Sequence, residues 1–130
     1  MIVLDTHAWL WWTSQPDKLG RAAREELDRA DQVGVATISA WEVAMLTARG
    51  RIELDRAVEL WVAQALANPR VVALNLTAPT AVRAGLLDRE QFPGDPADRI
   101  IYASALAWNA RLATRDEAMR RFDPRGTIWD

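Results

Sequence analysis

The chain has 130 residues, half of them apolar, with sixteen basic against eighteen acidic side chains and a formal net charge of −2. That suffices for one domain, residues 1–130, with a core of its own, but gives no global attraction for a polyanion, so any nucleic acid must be met by local arginines or bound cations. With no cysteine, disulfides, thiolate zinc sites and cysteine nucleophiles are excluded, and a reducing compartment fits.

Met1 to Thr6 is a short apolar run that ends in a carboxylate. The absence of polar alternation predicts a strand covered on both faces, as in a parallel sheet, with Asp5 at its carboxyl end. Ligands of open α/β sheets bind at that edge, although Asp5 would equally serve as the N-cap of the segment that follows. The run is too short for a signal peptide or a membrane span, so the expected location is the cytoplasm. Thr6 to about Thr13 reads as a short helix. Trp9 and Trp12 share one of its faces and Trp11 points elsewhere, so at least one ring is expected at the surface as a partner contact.

Ser14 to Asp17 is a turn, and Leu19 to Ala30 carries apolar residues at helical spacing. Val33 to Thr37 is a second buried strand, leading into a helix from Ser39 to about Ala48 with Gly50 as its stop. Another helix runs from about Asp55 to Asn68, before Pro69. Val71 to Leu76 is the third strand, Pro79 to Leu87 a helix, and Arg89 to Asp98 a loop. Ala97 to Asn109 is apolar nearly all round, which predicts a central helix. Leu112 to Thr114 is a short fourth strand, Asp116 opens a last short helix, and Gly126 to Trp129 reads as an edge strand. Alternation of strands and helices predicts an α/β fold, doubly wound, with a parallel sheet of four to five strands flanked by helices on both faces.

Four acids fall where strands end or the next helices begin: Asp5, Glu42, Asp98 and Asp116. Each also has a capping explanation. Ser39 to Glu42 fits a capping box; Asp95 fits an N-cap with Pro96 at the first helical position and Asp98 as the reciprocal acid; Asp116 fits an N-cap. Capping alone does not call for acids after both the first and the fourth strand, since serine, threonine or asparagine would serve. Carboxylates gathered about 4 Å apart repel by roughly 4 kcal/mol a pair at an effective dielectric of 20. Oxygen-only ligands point to a hard divalent cation, magnesium or manganese, as the counter-charge. Such an ion activates water and stabilises charge on a phosphoryl oxygen, which predicts a metal-dependent nuclease.

Four motifs carry a resemblance: LDTHAWLWW from Leu4, SAWEVAM from Ser39, DPADRIIYASAL from Asp95 and LATRD from Leu112. Together the chain resembles the PIN-domain family, and within it the VapC-like toxins of bacterial toxin-antitoxin pairs. The resemblance implies a PIN fold, Mg2+ or Mn2+ binding, endoribonuclease activity on an RNA substrate, inhibition by a cognate VapB-like antitoxin, and homodimerisation. It implies that Asp5, Glu42, Asp98 and Asp116 form the acidic site, with Asp5 and Asp98 as direct ligands, Glu42 as a direct or water-mediated one, and Asp116 positioning water or a second ion. Thr6, Ser39 and Thr114 are candidates for supporting hydrogen bonds. Arg99 and Arg115 flank the acids and would either grip phosphate or pair with carboxylates. His7 is assigned to packing at the helix start rather than to general-base chemistry, and Asp95 to capping.

The sequence departs from the family's pattern at Met45-Leu46, where relatives often carry a basic residue, and around Gly94 and Ala97. These departures bear on substrate contacts more than on the acids. The alternative is a catalytically inactive PIN domain acting as a protein-binding module. A phosphoryl-acceptor role for Asp5 is disfavoured, because no second aspartate follows two residues on and the later strands lack lysine.

Overall fold

The computed structural model describes residues 1–130. It places five parallel strands in one sheet with seven α-helices around it. In chain order these are β1 (Ile2–Leu4), α1 (Thr6–Ser14), α2 (Arg21–Arg29), β2 (Val33–Ala36), α3 (Thr37–Ala48), α4 (Val58–Leu66), β3 (Val71–Leu74), α5 (Ala78–Leu86), α6 (Pro96–Ala107), β4 (Arg111–Ala113), α7 (Glu117–Phe122) and β5 (Thr127–Ile128). The spatial order is β3-β2-β1-β4-β5. From β1 the chain winds outward to β3 and then crosses back, laying β4 on the other side of β1, with Ile2 opposite Val33 on one flank and Arg111 on the other. The winding therefore reverses between β1 and β4, where the carboxyl ends of two neighbouring strands open a crevice.

Alternation within the strands divides the core into two. Ile2, Leu4, Val33, Val35 and Ala113 face a cluster completed by Trp9, Leu27, Val43 and Trp61, from α1, α2, α3 and α4. Val3, Ala36, Leu74 and Leu112 face the opposite way, onto Ile101, Tyr102 and Ala105 of α6 and Met119 of α7. With both faces covered, the strands need no polar side, which accounts for their unbroken apolar sequence. Each fully buried aliphatic or aromatic side chain contributes about 1.5–3 kcal/mol. Trp9 is wholly buried and meets Trp61 edge-on at 4.9 Å between ring centroids.

Several expectations shift. The second helix begins at Arg21, because Gly20 before it is extended, with φ of −61° and ψ of 149°; a Cβ at Gly20 would come within 2.3 Å of the Trp129 carbonyl oxygen. The same carbonyl accepts from the Ala23 amide at 2.9 Å, tying the chain's last strand to α2. The third helix begins two residues earlier than expected, at Thr37, so Ser39 sits inside its first turn rather than capping it, and the Ser39–Glu42 capping box does not form. Residues Leu87–Glu90, read as helix end and loop, form a 3-10 turn, and α6 starts already at Pro96. Its last turn is not central: Leu106 and Trp108 lie exposed, and Asn109 ends the helix with φ of 49°. On α1 Trp9 is buried, while Trp11 and Trp12 are half-buried, packed against the first core cluster but reaching the surface in part. The exposed tryptophans are instead Trp41 and Trp108. No helix is long and apolar enough to cross a membrane.

Candidate active site

The crevice at the carboxyl edge is a cleft of about 550 Å³ lined by Asp5, His7, Trp11, Glu42, Asp95, Asp98, Arg115 and Asp116. All four acids marked in the sequence thus meet in one place. They do so because each is attached to an element that starts at that edge. Asp5 ends β1 and caps α1, accepting from the Ala8 amide at 2.8 Å. Asp116, just beyond β4, caps α7 through the Met119 amide at 2.9 Å. Asp98 and Asp95 form a reciprocal capping box at the start of α6, with the Asp98 amide donating to Asp95 at 2.9 Å and the Asp95 amide to Asp98 at 3.3 Å. Capping and clustering are therefore one arrangement: helix N-termini point their free amides and positive dipole ends into the crevice, which partly offsets the gathered negative charge.

Glu42 reaches the site differently. It stands on the second turn of α3 and accepts a hydrogen bond from the Thr6 hydroxyl. Thr6 and Ser39 are both buried, with their hydroxyl oxygens 3.2 Å apart, so α1 and α3 are joined by a short polar bridge beneath the cleft. Thr114, wholly buried, accepts from the Asp116 amide at 3.1 Å. Thr6 thus holds the Glu42 carboxylate with Ser39 behind it, and Thr114 holds the backbone that carries Asp116.

The charges in the cleft remain under-compensated. Burial raises the Asp5 carboxyl above the usual carboxylate range, and Glu42 adds to this, while Thr114, the Ala8 amide and His7 work against it. Asp98 is pushed up to about 7, by burial first and then by Asp95, with Glu42 and Asp5 contributing. Each acid senses the others. As the side chains stand, no three of them are arranged as a ready-made chelate; each is turned toward its own cap or hydroxyl. The donor set itself, carboxylate oxygens with unneutralised negative charge and no thiolate, fits a hard divalent cation.

The two arginines separate. Arg99 turns away from the cleft: its Nε donates to the Gly94 carbonyl at 3.1 Å and its guanidinium pairs with Asp88. One residue beyond Asp98 on a helix is about 100° round the axis, which carries Arg99 off the acidic face. Arg115 lines the cleft, its guanidinium carbon 5.8 Å from the centroid of the Trp11 ring. His7 is exposed in the cleft wall, 5.7 Å from Trp11, and not packed inside as expected. Buried Thr6 and Ala8 take the inward directions of the helix start, leaving His7 and Trp11, four apart, on the face toward the cleft. Trp11 as a wall of the acidic site is not among the expectations from sequence; its spacing from His7 is the signal that points to it.

A larger cleft of about 740 Å³ lies away from the acids, between the end of α1, residues 53–56 and α4. Its Asp55 is bound at both oxygens by Arg56, at 2.7 and 2.8 Å, which leaves Glu53 as its one unpaired carboxylate. The acids gather instead in the smaller cleft.

Comparison with known proteins bears on the same face. Residues 2–124 match the PIN domain. The chain is 37% identical over 130 residues to Ribonuclease VapC22 of Mycobacterium tuberculosis (strain ATCC 25618 / H37Rv), covering 98% of each. In fold it is similar to a chain of a toxin-antitoxin complex from Klebsiella pneumoniae, with a TM-score of 0.69 and 21% identity over 98% of this chain and 96% of that one. It is also similar to a chain of VapBC2 from Rickettsia felis bound to a DNA fragment from their promoter, with a TM-score of 0.68 and 16% identity over the full length of both.

Proposed function

Since the chain belongs to the PIN-domain family, we propose that it is the ribonuclease toxin of a toxin-antitoxin pair, an endoribonuclease that hydrolyses RNA phosphodiesters with the help of a divalent cation. The observation that carries this reading is the meeting of Asp5, Glu42, Asp98 and Asp116 in one cleft at the sheet's switch point. Support comes also from the named activity of its 37% identical relative. A protein antitoxin is part of the proposal, in keeping with the toxin-antitoxin complex of a structurally similar chain; a cytoplasmic setting and pairing of two copies complete it.

Asp5, Asp98 and Glu42 would hold Mg2+ or Mn2+, with Asp116 orienting water or a second ion. When bound, such a cation supplies Lewis-acid neutralisation of a phosphoryl oxygen and an acidified water. The chain's own residues supply the rest. Thr6 holds the Glu42 carboxylate and the Ala8 amide that of Asp5, which restricts how each can turn toward a cation. Asp98 has a raised affinity for protons near neutrality, so it takes up a cation in competition with a proton. RNA that enters is single-stranded or looped, because only an unpaired strand can splay its bases out against the cleft wall while its backbone bends toward the acids.

The second reading, a binding module without activity, draws on the fact that the acids are not preset as a chelate. End-labelled structured RNA incubated with the antitoxin-free protein in magnesium, manganese or EDTA separates the two, run beside Asp5→Asn and Asp98→Asn. The nuclease reading expects metal-dependent cutting, lost by about 100-fold or more in each variant, with circular dichroism unchanged because asparagine still caps a helix. Absence of cutting, together with calorimetric metal binding that is equally weak in wild type and variants, would establish the binding module instead.

A further inference from the structure

The acidic cleft poses a problem for the substrate that the acids do not solve. A phosphodiester must approach several carboxylates on a chain whose net charge is −2, and of the two arginines beside the acids in sequence, Arg99 is occupied with Asp88. What remains is gathered around one ring. Trp11 lines the cleft, half-buried. Arg115 stands 5.8 Å from its centroid, Lys18 is likewise 5.8 Å away, and the His7 ring is at 5.7 Å. Both Arg115 and Lys18 are exposed, and neither side chain takes part in an ion pair with this chain's acids. Lys18 is the chain's one lysine, and lies outside the cleft lining, so the cations continue the ring's surface beyond the rim.

The ring itself is braced from behind. Trp129 meets Trp11 at 5.9 Å, tilted by 55°, and Trp129 is buried and anchored to α2 by the Ala23 hydrogen bond. An aromatic surface already ordered before a ligand arrives loses little entropy on binding it. Aromatic faces with adjacent cations are the combination that holds single-stranded nucleic acid: bases stack on ring or guanidinium planes while ammonium and guanidinium groups meet phosphates. Resting on the nuclease reading above, we propose that Trp11, His7, Arg115 and Lys18 form a holding strip for the single-stranded RNA beside the scissile phosphate. Trp11 and Arg115 offer stacking planes, and Arg115 and Lys18 neutralise the neighbouring phosphates as the strand leaves the acids. These are positioning residues: they place the strand and take no part in the bond broken.

The test uses the full chain and a fluorescein-labelled single-stranded RNA, with binding followed by anisotropy in magnesium on an Asp98→Asn background, and steady-state cleavage followed in the otherwise wild-type protein. Arg115→Gln and Lys18→Gln are each expected to raise KM several-fold with kcat within about twofold, and to reduce the slope of log K against log salt by about one phosphate's worth. Trp11→Leu is expected to weaken binding about 5- to 100-fold, with Trp11→Phe restoring most of it. Thermal melts guard against misfolding, and Trp11→Phe keeps the stacking plane should Trp11→Leu lose structure. Variants that fold, cut RNA and bind it with wild-type affinity and salt slope would overturn the strip while leaving the nuclease standing. A wild type that binds RNA through these residues but never cuts it would overturn the nuclease reading and keep the strip. Failure of the Asp98→Asn protein with its strip intact to bind RNA would overturn the strip, and absence of cleavage alongside it would overturn the nuclease as well.

Discussion

Replacing Asp98 by asparagine is expected to make the metal-free protein more stable at neutral pH. Asp98 is held near 7 instead of its ordinary 3.8 because it is partly buried and faces Asp95, Glu42 and Asp5. The folded state therefore binds its proton more tightly than the unfolded state does. Between about pH 4 and 7 the folded protein carries the extra proton, so the slope of stability with pH from this group is negative: stability is highest below the unfolded value and falls as pH rises through the folded one. For a fully shielded group a rise of that size corresponds to about 4 kcal/mol. Solvent screening of this half-exposed carboxylate brings the expected effect to about 1–2 kcal/mol. The asparagine of the Asp98→Asn variant carries no charge, and its side-chain oxygen still accepts from the Asp95 amide, so the capping box survives in part. Urea unfolding in EDTA at pH 3.5 and at pH 7.5 checks this. The variant should gain about 1–2 kcal/mol on wild type at pH 7.5 and little at pH 3.5, below the unfolded value of 3.8, and added magnesium should stabilise the wild type more than the variant at pH 7.5. Equal loss of stability in the variant at both pH values would refute the reasoning, since it would make Asp98 a cap and nothing more.

Thr6→Val keeps the shape of a buried side chain but removes the donor to Glu42 and the partner of Ser39; cleavage should fall about 10- to 100-fold and stability by about 1–2 kcal/mol, as read from initial rates and urea midpoints. Gly20→Ala should cost about 1–3 kcal/mol, because the new Cβ meets Trp129 backbone that cannot yield, whereas Gly85→Ala, in α5 with nothing within 4 Å, should stabilise by about 0.5–1 kcal/mol. Differential scanning calorimetry distinguishes the two, and equal melting shifts would contradict the packing described. Arg70→Met should cost about 1–3 kcal/mol: its guanidinium satisfies the Leu27 carbonyl and, at 2.7 Å, that of Ala30 at the end of α2, while lying 5.7 Å from the Trp12 ring. Faster hydrogen exchange confined to the end of α2 is the accompanying signature.

Short-range physics is written directly into the order of residues. Unbroken apolar runs mark the strands of a sheet covered on both faces, helical spacing marks the helices between them, and the acids at strand ends and helix starts are legible as sharing one edge. Asp95, Pro96 and Asp98 can be read as a capping box because its hydrogen bonds close within three residues. The company each side chain keeps across elements is settled only when the layers pack. That Glu42 is held by Thr6 and not by the Ser39 amide depends on where α3 begins and how it is rotated against α1. That Arg115 enters the cleft while Arg99 leaves it, and that His7 and Trp11 form a wall of the acidic site, depends equally on rotation. A helix exposes its periodicity in its own sequence, but its angle about its axis is chosen by packing against the sheet, and that choice is spread over residues from every layer of the fold.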